Sequence, residues 1–416
     1  MTIKLPYGSD NIEIQLSESV TADFLEGQSR LGETDERIIE RSLDQPRNMQ
    51  KLEDFLNATD RVAIVVSDYT RSTGVSTYLP LILKRIDKAG VKPKNVRIVI
   101  ALGLHRKATE TEINEIVGAN VTTSYSVENH DPDRNLVDLG AVALNQTVAS
   151  ASKVVVTGAV AFHPMIGYSG GYKSVLPGIA SRKDILMNHM LYLDSLNDDR
   201  KIEPARLEEN PVFLDLARRG NILHNIFALN IVMGKNKQIA YASSGNLPDV
   251  WRECINFLNK NFSVAIYHRY PLVLASAGGL PMDFSFYQSM KLFTNASAAC
   301  SEGETIILLS KCCNGWELRK DIFRLFECSV KKAEAALRTN FSMDGLAILM
   351  ARLIIERFKV FFFSDLPANE VSKTGMIPII NQDALREMFD RLSRDKRCAI
   401  IRRAASVFPV MKGERL

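Results

Sequence analysis

Cysteine is sparse and unordered in this sequence. The 416 residues hold six (Cys254, Cys300, Cys312, Cys313, Cys328 and Cys398), none in C-x-x-C spacing. Their scatter argues against a zinc finger, an iron–sulfur motif and a disulfide framework, and it fits core thiols in a reducing compartment. Long apolar runs are missing too. No stretch of about 18 apolar residues is present to span a membrane, and the longest suspect run, Val360-Phe361-Phe362-Phe363-Ser364, has the length of a buried strand. The first thirty residues carry acids and lack the apolar stretch of a signal peptide, so a cytoplasmic protein is expected. Net charge is only +4, with Lys and Arg spread along the chain, so no nucleic-acid stripe is present. No internal repeat, low-complexity segment or His-x-x-x-His spacing occurs.

What remains is ordinary globular composition, 46% hydrophobic and 24% charged, on a chain too long for one core. Ile3 and Leu5, a turn at Gly8-Ser9-Asp10-Asn11, then Ile12, Ile14 and Leu16 read as a hairpin. Residues 34–57 read as helical. Arg61 to Val66 is a continuous β run of the kind buried on both faces. Further strands are expected over 96–101, 153–157, 226–233 and 238–242, with helices over 78–89, from Thr109 onward and over 183–193. The pattern restarts near Tyr270, with strands over 272–275, 305–309 and 360–364 and helices over 286–298 and 384–395. This alternation implies an α/β fold: two Rossmann-like domains with mostly parallel sheets and an active-site cleft between them. The expected division is 1–267 and 268–404, with the tail 405–416 packing back on the first domain.

The reactive residues cluster just beyond the ends of β runs, where crevices of open α/β sheets form. These stretches are Ser67-Asp68-Tyr69-Thr70-Arg71, Gly103-Leu104-His105-Arg106, His163 through Ser174, and Gly278-Gly279-Leu280-Pro281. Gly167 to Ser174 resembles a phosphate-binding P-loop, but Tyr172 occupies its second glycine and Pro177 would interrupt the following helix. That argues against nucleoside-triphosphate hydrolysis, while Ser169, Gly170 and Gly171 still suit a bound phosphate or a tightly packed cofactor. Lys173, in that glycine-dense loop, reads either as a solvated lysine or as an amine nucleophile. His105 and His163 read as structural imidazoles taken singly and as a proton-exchanging pair taken together. Asp68 and Arg71 either staple one turn or meet a carboxylate substrate. Tyr287 and Lys291, four apart on an expected helix, share one face.

Together these pieces resemble the lactate racemase family, which uses a nickel-pincer nucleotide (pyridinium-3,5-bisthiocarboxylic acid mononucleotide nickel). The resemblance is strongest over residues 60–295, including Asn210-Pro211, Asp283 and Tyr287-Gln288-Ser289 with Lys291. It implies that Lys173 is the covalent tether, His189 the nickel ligand, and His105 and His163 the acid/base pair. It places Arg71, Tyr287 and Lys291 on the substrate, and Asp68, Thr70, Ser169, Gly170, Gly171 and Gln288 around the cofactor. The implied reaction is racemisation or epimerisation of a 2-hydroxy acid by reversible hydride transfer through a 2-keto acid. Cofactor-maturation enzymes are implied partners, and a homodimer is left open. Two rival readings are a nicotinamide-linked 2-hydroxy acid dehydrogenase and a cofactor-free binding protein of the same fold. The first should carry Gly-x-Gly-x-x-Gly after a strand, and no such fingerprint stands out.

Overall fold

The alternation of apolar runs and amphipathic stretches forms two helix-flanked sheets in a computed structural model describing residues 1–28, 32–70, 73–196, 202, 204–234 and 238–414. Strands β1 (Thr2–Tyr7) and β2 (Asp10–Gln15) make the expected hairpin, burying Ile3, Leu5, Ile12 and Ile14 on one face. After β3 (Thr21–Phe24) come β4 (Val62–Ser67), β5 (Val96–Ala101), β6 (Ser126–Asn129), β7 (Lys153–Ala159), β8 (Ile226–Met233) and β9 (Ile239–Gly245). The first sheet runs β9-β8-β7-β4-β5-β6 and is parallel except for the β8–β9 pair. Val62 to Val66 are all buried because helices cover both faces of the central strand.

The chain then enters β10 (Ser263–Ile266), β11 (Tyr270–Ser276), β12 (Cys300–Leu309), β13 (Lys359–Phe363), β14 (Ile377–Ile379), β15 (Arg397–Ile401) and β16 (Phe408–Met411). The second sheet is wholly parallel in the order β14-β13-β12-β11-β15-β3. Residues 1–24 therefore lie with the second sheet: β3 is its edge, and the β1–β2 hairpin packs Leu5 and Ile14 in one cluster with Leu272, Leu274 and Ile307. Strand β16 returns to pair with β10. Residue 268 falls in the turn between β10 and β11.

Helices that matter below are α1 (Asp35–Asp44), α2 (Val75–Lys88), α3 (Glu110–Val117), α4 (Arg182–Asp194), α5 (Leu247–Phe262), α6 (Met290–Ala299) and α7 (Met343–Arg357). Their starts follow capping chemistry. Thr109 and Glu112 form a reciprocal capping box on α3, and Ser181 caps α4. Two expected helices are corrected. Residues 34–57 are not one helix: α1 ends at Asp44, and a one-turn helix follows only at Leu52–Phe55. Between them the Arg47 N–H donates to the Ser244 carbonyl (2.7 Å), drawing the chain onto the sheet edge after Pro46. The helix expected from residue 286 begins at Met290, because Ser285 and Ser289 hold the preceding residues in a turn. Tyr287 and Gln288 lie in that turn and only Lys291 is helical.

Strand order reverses at β4 in the first sheet and at β11 in the second. Each reversal opens a crevice at the carboxyl ends of its strands. Among the described residues no helix is long and apolar enough to cross a membrane.

Candidate active site

Both crevices open into one cavity of about 1500 Å³, lined from the first sheet by residues after β4, β5 and β7 and from the second by the Gly278–Met282 turn, Tyr287, Gln288 and Lys291. His105, His163, Lys173 and His189 all line it. So do Lys4, Lys291, Arg319, Arg402 and Arg403, beside the carboxylates Asp10, Glu26, Glu317 and Asp344, two of which pair with Arg402 and Arg319.

Asp68 follows β4 directly and is buried. Its Oδ1 accepts from the Thr70 N–H (3.2 Å) and hydroxyl (2.7 Å). Its Oδ2 makes a short contact with His105 Nδ1. His105 is presented by a tight turn after β5, in which Gly103 takes φ +56° and donates its N–H to the Gly178 carbonyl (3.0 Å). The neighbouring Arg106 stacks over the Tyr69 ring (4.2 Å) and clamps Glu112 with two hydrogen bonds, which hold that carboxyl down at about 2.

His163 sits in a small hairpin beyond β7, pairing with Gly167. Its Nδ1 accepts the amide N–H groups of Met165 (3.2 Å) and Ile166 (3.4 Å). Its Nε2 lies 2.9 Å from Lys173 Nζ. Lys173 projects from a 3₁₀ turn, Gly171–Ser174, that follows the glycine pair. His189 is buried on α4, with Nδ1 donating to the Ile185 carbonyl (2.9 Å). Burial first, and then the charge of Lys173, pushes the His189 pKa down to about 3. It is therefore a neutral imidazole at physiological pH, with Nε2 left as its lone-pair nitrogen.

The other expected site residues are placed as follows. Thr70, Ser169, Gly170, Gln288, Tyr287 and Lys291 line the cavity. The Ser169 hydroxyl is engaged by its own loop, accepting from the Ala161 N–H (3.0 Å) and donating to the Ala159 carbonyl (2.9 Å). Gly171 instead packs under Trp251, and its N–H donates to Asn230 Oδ1 (2.8 Å). Arg71 lies outside the described residues.

Sequence reasoning missed Asn230 and Trp251, which shape the lysine loop from beneath. Asn230 had a signal: it is one polar residue inside the apolar run of β8. Trp251 had none, since it is one of several apolar residues on the inward face of α5. It also missed the hairpin tip, Gly8 to Asn11, and the α7 face of Leu346, Ala347 and Met350, all of which line the cavity.

The residues present fit a tethered, metal-bearing nucleotide. Lys173 and His189 share one cavity and sense each other electrostatically, and lysine and arginine side chains on its wall can meet phosphate and carboxylate groups. Among the described residues no group of three or more His, Cys, Asp or Glu side chains is placed to hold a bare ion. A single imidazole ligand suits a metal whose remaining ligands arrive with an organic carrier.

Residues 7–200 match the family model for the lactate racemase N-terminal domain, and residues 268–409 that for the lactate racemase C-terminal domain. The lactate racemase of Thermoanaerobacterium thermosaccharolyticum is 30% identical over 327 residues, 75% of each chain. That of Lactiplantibacillus plantarum is 27% identical over 321 residues, 74% of each chain. The lactate racemase apoprotein structure from T. thermosaccharolyticum superposes with a TM-score of 0.89 at 25% identity, covering 99% of this chain and 100% of that one. A Thermotoga maritima protein shares the fold at TM-score 0.69 and 14% identity, over 93% of this chain and 100% of its own.

Proposed function

The chain belongs to the lactate racemase family, and on that premise we propose that it racemises a 2-hydroxy carboxylic acid, with lactate the first substrate to test. The observation that carries this reading is the convergence of two imidazoles, one lysine and one buried neutral histidine on a single cavity at both sheet switch points. Lys173 would hold the nickel-pincer nucleotide through Nζ, and His189 would ligate its nickel through Nε2. When bound, that group supplies the acceptor for the hydride at C2, a role outside the reach of His, Lys or Tyr side chains.

The chain's own residues handle everything else. Lys291 and Tyr287 hold the substrate carboxylate, together with Arg71, so that C2 is fixed while its substituents change. His105 and His163 exchange the hydroxyl proton, one for each enantiomer, a contribution of about 10²–10⁴-fold in rate for each acid/base group. Walls from both sheets limit water around the planar keto acid. The nucleotide is supplied by cofactor-maturation enzymes, and the protein works in the cytoplasm.

The test is chiral chromatography of D- and L-lactate, and of larger 2-hydroxy acids, with protein co-expressed with the cofactor-making enzymes. Interconversion is expected, with little solvent deuterium entering at C2. Lys173→Ala should lose the covalent adduct in intact mass. An adduct undiminished in Lys173→Ala, or rapid deuterium entry at C2, overturns the mechanism.

A further inference from the structure

Asp68 does not face the cofactor end of the loop alone; its carboxylate is turned onto a catalytic imidazole. We propose that Asp68 is a positioning residue that fixes His105 as the Nδ1–H tautomer, so that Nε2 meets the substrate hydroxyl as a proton acceptor. The inference rests on the racemase reading for its consequence, and on hydrogen-bond geometry for its substance.

The geometry leaves one consistent assignment. Thr70 directs both its main-chain N–H and its hydroxyl at Asp68 Oδ1, and Oδ2 faces His105 Nδ1. A carboxylate only accepts, so the ring nitrogen it meets must carry the hydrogen. In a neutral imidazole the lone pair is then on Nε2, the nitrogen left for the cavity that His105 lines. On accepting the hydroxyl proton, the O–H bond breaks, an Nε2–H bond forms, and the resulting imidazolium shares its charge with Asp68. This is the orienting role a buried carboxylate plays behind other catalytic histidines.

His163 is held by different partners. Two amide N–H groups point at its Nδ1, and an amide N–H only donates. Its Nε2 meets Lys173 Nζ (2.9 Å), so the proton position of this ring is set jointly by the main chain and the amine. The two imidazoles are thus not equivalent. One is backed by a carboxylate and the other by the main chain.

Asp68→Asn separates this role from a merely structural one. The Thr70 N–H still requires an acceptor, so the amide oxygen stays on that side and the NH₂ turns to His105 Nδ1. The tautomer is then inverted, with a hydrogen on Nε2 and no acceptor in the cavity. Long-range ¹H–¹⁵N spectra of the full-length, unloaded protein labelled at histidine read this directly. Nδ1–H is expected for His105 in the wild type and Nε2–H in Asp68→Asn, with the His163 signals unchanged between the two. In the loaded enzyme, Asp68→Asn should lower kcat/KM by about 10²–10⁴-fold. The loss must be equal in both directions, because the two enantiomers are equal in energy. His105 found as the Nε2–H tautomer in the wild type, or unchanged in Asp68→Asn, overturns the proposal. So does loaded Asp68→Asn at near-native kcat/KM. The expected tautomers in a protein that racemises no 2-hydroxy acid would leave the positioning role standing and remove the function instead.

Discussion

Gly171→Ala is expected to be among the most damaging single-methyl additions in this chain. Gly171 has φ +53°, in the left-handed region, where a side chain costs about 1–2 kcal/mol. A Cβ there would lie 2.6 Å from two ring carbons of Trp251 and 2.9 Å from a third. Those are rigid ring atoms in a packed layer with Phe213 and Tyr172, so the indole must move, at an overpacking cost of about 1–3 kcal/mol. Moving it also strains the indole N–H bond to the Ser169 carbonyl (2.9 Å), worth about 1 kcal/mol. The sum is about 2–6 kcal/mol, against a total stability of about 5–15 kcal/mol. Equilibrium urea unfolding measures it. A double-mutant cycle with Trp251→Leu separates the parts: a smaller, flexible side chain should remove the overpacking share and leave the backbone share of about 1–2 kcal/mol. Lys173 is two residues away, so the loading of the protein with cofactor should fall as well. A Gly171→Ala cost under about 1 kcal/mol, or a cost identical in the Trp251→Leu background, would refute the packing described.

Asn230→Ala removes the acceptor for the buried Gly171 N–H (2.8 Å) and should cost about 1–3 kcal/mol in urea unfolding; a loss within noise would show that bond to be dispensable. His189→Ala should keep the Lys173 mass adduct after co-expression with the cofactor-making enzymes while nickel per protein falls sharply by elemental analysis; wild-type nickel content would remove His189 as a ligand. His130 is fully buried and donates from Nε2 to the Ala180 carbonyl (3.0 Å), and burial lowers its pKa. The folded state binds this proton more weakly than the unfolded chain, whose histidine titrates at about 6.5. Stability should therefore fall as pH drops through and below that range, by at most about 1.4 kcal/mol per pH unit for this one group. The wild-type slope should exceed that of His130→Gln; equal slopes between pH 7 and 5 would sink the assignment.

The sheets were legible because their strands are buried on both faces. Val62 to Val66 and Leu272 to Ala275 carry no alternation to misread, and their ends fix where the chain turns out into the cavity. Helix bounds were less legible. The 34–57 stretch looks continuously amphipathic, yet the pairing of Arg47 with the sheet edge at Gly245 decides where α1 stops, and that partner lies far along the chain. The turn at Ser285–Ser289 is likewise set by its own hydroxyls, one of which also contacts Ser310. Of residues 1–24, which the expected 1–267 division includes, only the hairpin is legible. Their place at the edge of the second sheet follows from register with Arg397–Ile400, which local pattern does not encode.

The site divides along the same line. Residue types at strand ends announce an imidazole or an amine near a crevice, because the parallel sheet sends successive carboxyl ends to the same side. What those groups can do depends on donors and acceptors that arrive from elsewhere. Asp68 and Thr70 from the end of β4 set one ring; Met165 and Ile166, two and three residues past His163, set the other. Two histidines that look interchangeable in the sequence are thereby held by different partners. A symmetric reaction, equal in free energy for its two enantiomers, is thus served by an asymmetric pair. The asymmetry must cancel in kcat/KM between the two directions, yet it is free to divide kcat and KM unequally between them. Initial rates measured from each enantiomer separately carry that signature, and equal kcat and equal KM in both directions would mean that loading erases the difference between the two imidazoles.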